Sequence, residues 1–376
     1  MDKKLRPAWV EINKKNAAHN LLEVRRAVGP NRKICAVVKA DSYGMGAIEL
    51  SKIYLEHGVD MLAVAVIGEA LELRKEIKNK DILVLGFTPE EFYVDAIENN
   101  ITLTIYNYDH GVKLDTTAKT LNKKAKIHIK VETGMNRLGF MPTEKNADKV
   151  AQLSKLQNII IEGAYSHQAR ADEKDKTTAH MQASRFIKFM EMLNKRKVKI
   201  PTKHIANSAT IVEMPEYYFD MVRPGIILTG FYPSDEVNKE EYKFKICLTL
   251  KAKLANVKTV EAGEGVGYGH LYSTNKPTVV GTVPLGYADG YSRLLSNKAY
   301  VVVKGTKCPI VGRVCMDQFM IDLSNVDSPK IGDEIIIYGD GTDGAMTAED
   351  VAKMRATISY EVLTNLAVRR LPKIYV

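Results

Sequence analysis

Lys39 stands at the end of an apolar run, Ile34 to Val38, and a turn with two glycines, Gly44 and Gly46, leads from it into the helical run Ala47 to His57. Burial disfavours the charged form of an amine, so a lysine delivered at a strand end can be held neutral. A neutral amine forms a Schiff base with a carbonyl or acts as a base. Taken alone, the stretch reads first as a solvated lysine capping a strand, because surface lysines are common. Other polar groups, however, recur at the ends of β-branched runs. Lys130 closes one run and leads into Glu132-Thr133-Gly134-Met135-Asn136-Arg137; Ser166-His167 follows a second; Asn207-Ser208 follows a third; and Arg223-Pro224-Gly225-Ile226 lies near the start of a fourth. Singly, His167 reads as a satisfied core histidine and Arg223 as an ion-pair partner.

The elements that must position these groups alternate regularly. Strand candidates fall at Lys33 to Lys39, Met61 to Val66, Ile82 to Phe87, Ile101 to Tyr106, Lys126 to Val131, Ile159 to Tyr165, Thr202 to Ala206 and Met221 to Leu228. Amphipathic stretches separate most of them; Glu69 to Arg74 and Ala179 to Asn194 are the clearest, and Asn16 to Ala27 reads as a helix before the first. Strands alternating with helices argue for a parallel sheet covered by helices, and eight repeats suggest a closed (β/α)8, TIM-like barrel. An open doubly wound sheet should carry a glycine-rich dinucleotide fingerprint after its first strand, and none is present. Barrel chemistry gathers at the C-terminal strand ends, where these polar groups fall. Ser208 and the Gly225-Ile226 amides occupy the end of strands seven and eight, where barrels often bind phosphate. A phosphate there, an amine at Lys39 and an arginine nearby suggest pyridoxal phosphate.

Past Pro233 the rhythm breaks. Ile246 to Val260, Thr278 to Leu285, Tyr300 to Lys304, Phe319 to Leu323 and Glu334 to Tyr338 are strand candidates, and only Thr347 to Met354 looks helical. The domain expectation is therefore a barrel over residues 1–240 and a mostly-β C-terminal domain over 241–376, with Ser234 to Glu241 as linker. The alternating Trp9-Val10-Glu11-Ile12 belongs to the opening residues, which are free to pack with the second domain.

Composition narrows the partners. The chain has 376 residues, is 45% hydrophobic and 26% charged, and carries a formal net charge of +9. Its lysines are scattered, with no zinc-knuckle, basic-helix or aromatic-basic pattern, so nucleic acid is not an expected partner and no metal is expected. No apolar run approaches membrane length, and the start is too polar for a signal peptide. Cys35, Cys247, Cys308 and Cys315 show no CxxC spacing and read as reduced thiols of a cytoplasmic protein.

With these residues in view, nearly the whole chain resembles the bacterial pyridoxal-phosphate-dependent alanine racemases. The resemblance is carried by Val38-Lys39-Ala40 with Tyr43-Gly44, Thr133-Gly134-Met135 with Arg137 and Gly139, Ala206-Asn207-Ser208-Ala209, and Met221-Val222-Arg223-Pro224-Gly225-Ile226. The β domain adds Tyr268-Gly269, Val283 to Tyr291, Gly312 to Gln318 and Tyr360-Glu361-Val362. The resemblance implies an isomerase, most simply one interconverting L- and D-alanine for peptidoglycan, working as a homodimer with shared sites. It implies that Lys39 carries the cofactor and is one base, with Tyr268 the second base on the opposite face. A free tyrosine has a pKa of about 10, so such a base needs help near neutrality, and His167 is the family's helper. Arg223 would face the pyridine nitrogen and leave it unprotonated, weakening the electron sink and disfavouring transamination. Tyr43, Asn207, Ser208, Gly225, Ile226 and Tyr360 would form the phosphate pocket. Arg137 would meet the cofactor's phenolic oxygen and the substrate carboxylate, which the Met316 amide would also meet. Lys130 matches a position that many members carbamylate. Asp172, Tyr287, Arg293, Arg313 and Ile358 match the substrate entry.

The sequence also departs from the family pattern. Met45 stands where histidine is usual, Asp41-Ser42 replaces Asn-Ala, and Glu132 replaces aspartate. Gln168 and Arg170 are large where the family is smaller, which opens two readings: Arg170 folds outward onto Asp172, Glu173 or Asp175, or Gln168 and Arg170 line the pocket and favour serine or another polar or charged substrate. A decarboxylase of the related two-domain fold would want an acid at the ring nitrogen, where Arg223 stands. A non-catalytic carrier of the cofactor would lack the β domain.

Overall fold

The computed structural model describes residues 6–367 and 370–376. The described residues divide into two compact units: one gathers Ala17–Ser42 with Ala47–Phe244, the other residues 6–16, the segment Tyr43–Gly46 and residues 245–367 with 370–376. The opening strand belongs with the C-terminal part.

That opening strand is β1 (Ala8–Ile12). The first unit is built on β2 (Lys33–Val37), β3 (Met61–Val64), β4 (Asp81–Val84), β5 (Ile101–Ile105), β6 (Ala125–Lys130), β7 (Ile159–Tyr165), β8 (Thr202–His204) and β9 (Met221–Val222). They form one eight-stranded sheet in the order β8-β7-β6-β5-β4-β3-β2-β9, in which neighbouring strands run parallel. The seam between β8 and β9 is closed by single bonds: Arg223 N to Ala206 O, 2.9 Å, and Asp220 N to Lys203 O, 3.0 Å. This is the expected (β/α)8, TIM-like barrel. Its last strand is shorter than the run Met221 to Leu228 suggests, because Ile226–Thr229 coils into a short 3-10 helix. Arg223 is thereby left just past the C-terminal end of β9, on the same rim as the other strand ends.

The amphipathic stretches fold as helices at Lys14–Val28, Ala47–Glu56, Ile67–Glu76 and Thr177–Lys195, each within a few residues of its expected limits. One side of the barrel, on β2, β3, β4 and β9, is apolar, where Cys35, Val37, Met61, Ala63, Leu83 and Met221 pack together. Elsewhere the interior is polar. Thr102, Thr104, His128, Lys130 and His204 are buried on β5, β6 and β8.

The second unit is mostly β, as expected. Its six-stranded sheet has the order β16-β15-β18-β10-β1-β19, where β10 is Leu248–Lys253, β15 Tyr300–Val303, β16 Thr306–Pro309, β18 Glu334–Tyr338 and β19 Lys373–Tyr375. A three-stranded sheet joins β11 (Asn256–Val260), β14 (Thr278–Val283) and β17 (Phe319–Asp322), and a hairpin pairs β12 (Gly265–Val266) with β13 (Tyr272–Ser273). β1 lies next to the edge of its sheet, antiparallel to β10 and parallel to the edge strand β19. Besides Ala348–Met354, a second helix, Ser359–Thr364, forms where no helix is expected from the sequence.

Candidate active site

Lys39 follows β2 at the C-terminal rim of the barrel. Neighbouring strands fix its approach: Val38 N donates to Ala63 O at 2.8 Å and Val37 N to Pro224 O at 2.9 Å. Burial depresses the basicity of its amine, the Arg137 charge adds to that effect, and Glu69 opposes it. The chain then makes a left-handed turn. Ala40, Asp41, Ser42 and Tyr43 have φ of 51°, 54°, 51° and 55°, and Gly44 continues at 84°. For residues with a Cβ this conformation costs about 1–2 kcal/mol each. Four successive non-glycine residues there require strong local support. Three bonds supply it: Ser42 N to Val38 O at 2.9 Å, Ala47 N to the Asp41 carboxylate at 2.8 Å, and Ala40 N to Glu69 Oε1 at 2.6 Å.

Arg223 organises the polar interior. It is buried, and burial lowers its pKa to about 10, which leaves it a full cation at neutral pH. One terminal nitrogen donates to Ser166 O at 2.8 Å and Ile205 O at 3.1 Å, with His167 Nδ1 at 3.4 Å. The other donates to His204 Nδ1 at 2.8 Å, and His204 Nε2 lies 2.9 Å from His128 Nδ1. A guanidinium has only donors. His204 Nδ1 must therefore accept, its Nε2 must carry the hydrogen, and His128 Nδ1 must accept in turn. Both rings are thus neutral Nε2–H tautomers. Burial first, then the Arg223 charge, pushes His128 down to about 3 and His204 and His167 well below the ordinary histidine value. Gly163 makes room for this chain, since a Cβ there would lie 2.8 Å from His128 Cε1 and 2.7 Å from Thr202 O. Tyr165 stacks on His204 with centroids 4.9 Å apart, and its hydroxyl donates to Leu85 O at 3.0 Å. Sequence reasoning missed His128 and His204, although His128 stands between Ile127 and Ile129 and both lie on strands that end at the rim.

Lys130 ends β6 and is buried. Its Nζ donates to Val131 O at 3.0 Å and sits 5.2 Å over the Tyr165 ring. Burial first, then Arg223 and Arg137 against Glu132, pull the amine down to about 7. The following loop is folded around Glu132, whose carboxylate accepts from Gly134 N at 2.5 Å and Arg137 N at 3.2 Å. Burial opposes that charge, yet the backbone donors and Lys130 hold the carboxyl below its usual range. Gly139 (φ +141°) lets the loop close, because a Cβ there would stand 2.4 Å from Glu132 N. Glutamate thus fixes the backbone that carries Arg137.

On the β8 and β9 side, Gly225 N donates to Ser208 Oγ at 2.9 Å, which leaves the hydroxyl proton for an outside acceptor. The Asn207 amide is used structurally: its oxygen accepts from Thr210 N at 3.0 Å and its nitrogen donates to Gln168 O at 3.3 Å. Gln168 is buried, but it faces its own scaffold, donating to Ala179 O at 3.1 Å and accepting from the Thr210 hydroxyl. Arg170 lies exposed and is engaged by Glu173. Asp172 is half-buried, and its carbonyl accepts from Ser234 Oγ at 2.8 Å.

In the β unit, Tyr43 and Tyr360 meet edge to face at 6.1 Å. Met45 is fully buried and its carbonyl accepts from the Tyr375 hydroxyl at 2.9 Å. Tyr268 opens a short 3-10 turn between Gly267 (φ 72°) and Gly269 (φ 67°) and is 73% exposed. The Arg313 guanidinium lies beside Gly269, 3.7 Å from where a Cβ would be. Met316, 54% exposed, is fixed through its carbonyl by Ala288 N at 3.0 Å, and Tyr287 N donates to Cys315 O at 3.0 Å. Arg293 opens a 3-10 turn at Arg293–Leu295, and Ile358 caps Ser359–Thr364.

A parallel barrel with a poised lysine, an arginine-locked histidine chain and hydroxyl and amide donors on one rim defines a class of group-transfer and isomerisation catalysts. The particular family follows from comparison. Residues 12–233 match the alanine racemase N-terminal domain and 247–375 the alanine racemase C-terminal domain. Alanine racemase 1 of Clostridium acetobutylicum is 43% identical over all of this chain and 97% of its own, and alanine racemase of Clostridium tetani is 44% identical with the same coverage. The solved alanine racemase of Clostridium difficile 630 superposes with a TM-score of 0.96 at 41% identity, covering 100% of this chain and 97% of that one. The chain belongs to the alanine racemase family, isomerases that depend on pyridoxal phosphate. The barrel rim fits that cofactor. Lys39 offers an amine of lowered basicity, Ser208 a free hydroxyl proton for a dianion, and Arg223 an Nε hydrogen that no described residue uses.

Proposed function

We propose that this protein interconverts L- and D-alanine, with Lys39 and Tyr268 as the two bases. The observation that carries the reading is Lys39, an amine weakened by burial at the rim of β2 and aimed by a strained turn. The cofactor, when bound, supplies an electron-withdrawing system that acidifies the substrate's α-hydrogen. The chain's own residues do the rest. One base takes that proton, and the other returns a proton to the same carbon from the opposite face. The product is the mirror image, and no atom is gained or lost. Arg223 would present a donor to the ring nitrogen, and its buried histidine chain keeps that donor in place. Ser208, Asn207, Gly225, Ile226, Tyr43 and Tyr360 would hold the phosphate, and Arg137 with the Met316 amide the substrate carboxylate.

Alanine is favoured over a polar substrate because Gln168 and Arg170 already have partners in the scaffold. Tyr287, Arg293, Arg313, Ile358 and Asp172 would line the approach. Lys130, half neutral near pH 7, is suited to add carbon dioxide at Nζ with loss of a proton, giving a carbamate that pins Arg137. The exposure of Tyr268, Met316 and Ile358 supports a homodimer in which each copy completes the other's site. A cytoplasmic role supplying D-alanine for peptidoglycan suits four free cysteines and the absence, among the described residues, of any helix able to cross a membrane. The test is to incubate the protein with single L-amino acids, alanine, serine, glutamate and lysine, and to read product chirality. Alanine should give the highest kcat/KM; a better polar substrate would overturn the assignment.

A further inference from the structure

The turn after Lys39 depends on a group outside it. Glu69 lies on the helix that follows β3, and its carboxylate spans two pieces of backbone. One oxygen accepts from Ala40 N at 2.6 Å. The other accepts from Ala65 N at 2.8 Å and Val66 N at 3.3 Å. The Ala40 amide is the first after Lys39 and opens the run of left-handed residues. Charge-assisted bonds to backbone N–H groups are among the stronger hydrogen bonds a protein makes. Lys39 is thus tied on one side to β3 through Val38 N to Ala63 O and on the other to the segment just after β3 through Glu69.

We propose that Glu69 is a positioning residue for the reaction: its carboxylate fastens the Ala40 amide to the Ala65–Val66 backbone, and this latch holds the left-handed turn that aims the Lys39 amine. Without it, four residues with a Cβ remain in a conformation they rarely adopt, and relaxation of Ala40 swings the peptide that carries Lys39. Glutamine keeps the length but offers one acceptor oxygen; its amide nitrogen would face a backbone N–H, donor against donor. Aspartate is one carbon too short to bridge both sides.

The proposal rests on Lys39 being the cofactor lysine, so the experiment separates the two. In the wild-type holoenzyme, borohydride reduction and peptide mapping report which lysine holds the cofactor. Glu69→Gln and Glu69→Ala are then compared with wild type by steady-state kinetics on alanine and by amide hydrogen exchange of the peptide spanning residues 37–46, in both apo and holo protein. A misplacement of the lysine by a fraction of an ångström predicts kcat lower by about 10–100-fold with KM for alanine changed less than about threefold. Exchange at Ala40 should quicken by about tenfold or more even without cofactor, with glutamine between wild type and alanine. A merely structural Glu69 would lower folded protein and leave kcat per folded site unchanged. Wild-type kcat and wild-type exchange in Glu69→Gln would overturn the latch. An adduct on another lysine would overturn the reading of Lys39, while the apo exchange data would still decide whether Glu69 holds the turn. If Glu69→Ala does not fold, Glu69→Gln decides alone.

Discussion

Arg223 donates to Nδ1 of His204 at 2.8 Å, and that bond fixes the tautomers of two buried histidines. Both stay neutral in the fold, whereas in an unfolded chain they take up protons near the ordinary histidine pKa of about 6.5. The unfolded state therefore binds more protons below that pH. A base whose folded pKa is depressed contributes stability that is complete above its unfolded pKa and is lost as pH falls towards the folded one. Between about pH 6 and 4, His128 should cost about 1.4 kcal/mol of stability per pH unit, and His204 acts in the same direction. Urea midpoints measured across that range should fall with acid, and His128→Gln should flatten the fall. An equal slope in wild type and variant would contradict the locked chain.

Tyr268→Phe and Lys39→Ala should each lower kcat by about 10²–10⁴-fold, the usual contribution of a positioned base. Mixed dimers of the two variants should regain one intact site, with Lys39 from one copy and Tyr268 from the other. Well-mixed dimers without activity would argue for a site completed within one chain.

Arg170→Ala should leave the order of substrates unchanged and stability within about 0.5 kcal/mol, because its exposed partner Glu173 gains little from an ion pair in water. Gln168→Ala should destabilise by about 1–3 kcal/mol, since it removes two buried hydrogen bonds, one to Ala179 O and one from the Thr210 hydroxyl, which keeps Asn207 Oδ1 as an acceptor at 3.1 Å. Alanine kinetics and thermal melts check both. A gain of alanine activity with loss of a polar substrate in Arg170→Ala would restore that residue to the pocket.

The barrel and the rim positions of several candidate residues are legible in the sequence. The alternation of strands and helices set the barrel, and the barrel's rule about strand ends picked out Lys39, Lys130, His167, Ser208 and Arg223. What was not legible has physical reasons. His128 and His204 look like any inward polar residue until Arg223 is seen to dictate their hydrogens. Nothing in Ala40-Asp41-Ser42-Tyr43 announces a left-handed turn, because part of its support comes from Glu69, a helix residue far along the chain. Residue size alone could not say which way Gln168 and Arg170 face; their partners Thr210 and Glu173 do. The strand β9 is shorter than its sequence suggests because Ile226 to Leu228, though β-formers, coil into a 3-10 helix just after Gly225, whose N donates to Ser208 Oγ.

Lys130 offers a further check. With its amine near pKa 7, about half is neutral at that pH and able to take up carbon dioxide. Depleting carbon dioxide should lower kcat/KM several-fold, and bicarbonate should restore it. Isotope-labelled bicarbonate should give a carbamate carbon signal that Lys130→Ala lacks. Full activity without carbon dioxide and no such signal would leave Lys130 an unmodified amine.

The central claim is racemisation of alanine, and the optical signal of one solution tests it most directly. L- and D-alanine are mirror images of equal free energy, so a racemase must bring them to equal amounts from either side. Protein, pyridoxal phosphate and L-alanine should give a circular dichroism signal that decays to zero while total alanine stays constant, and D-alanine should approach the same end point. A signal that persists, or one that decays only because alanine is consumed, would contradict the account.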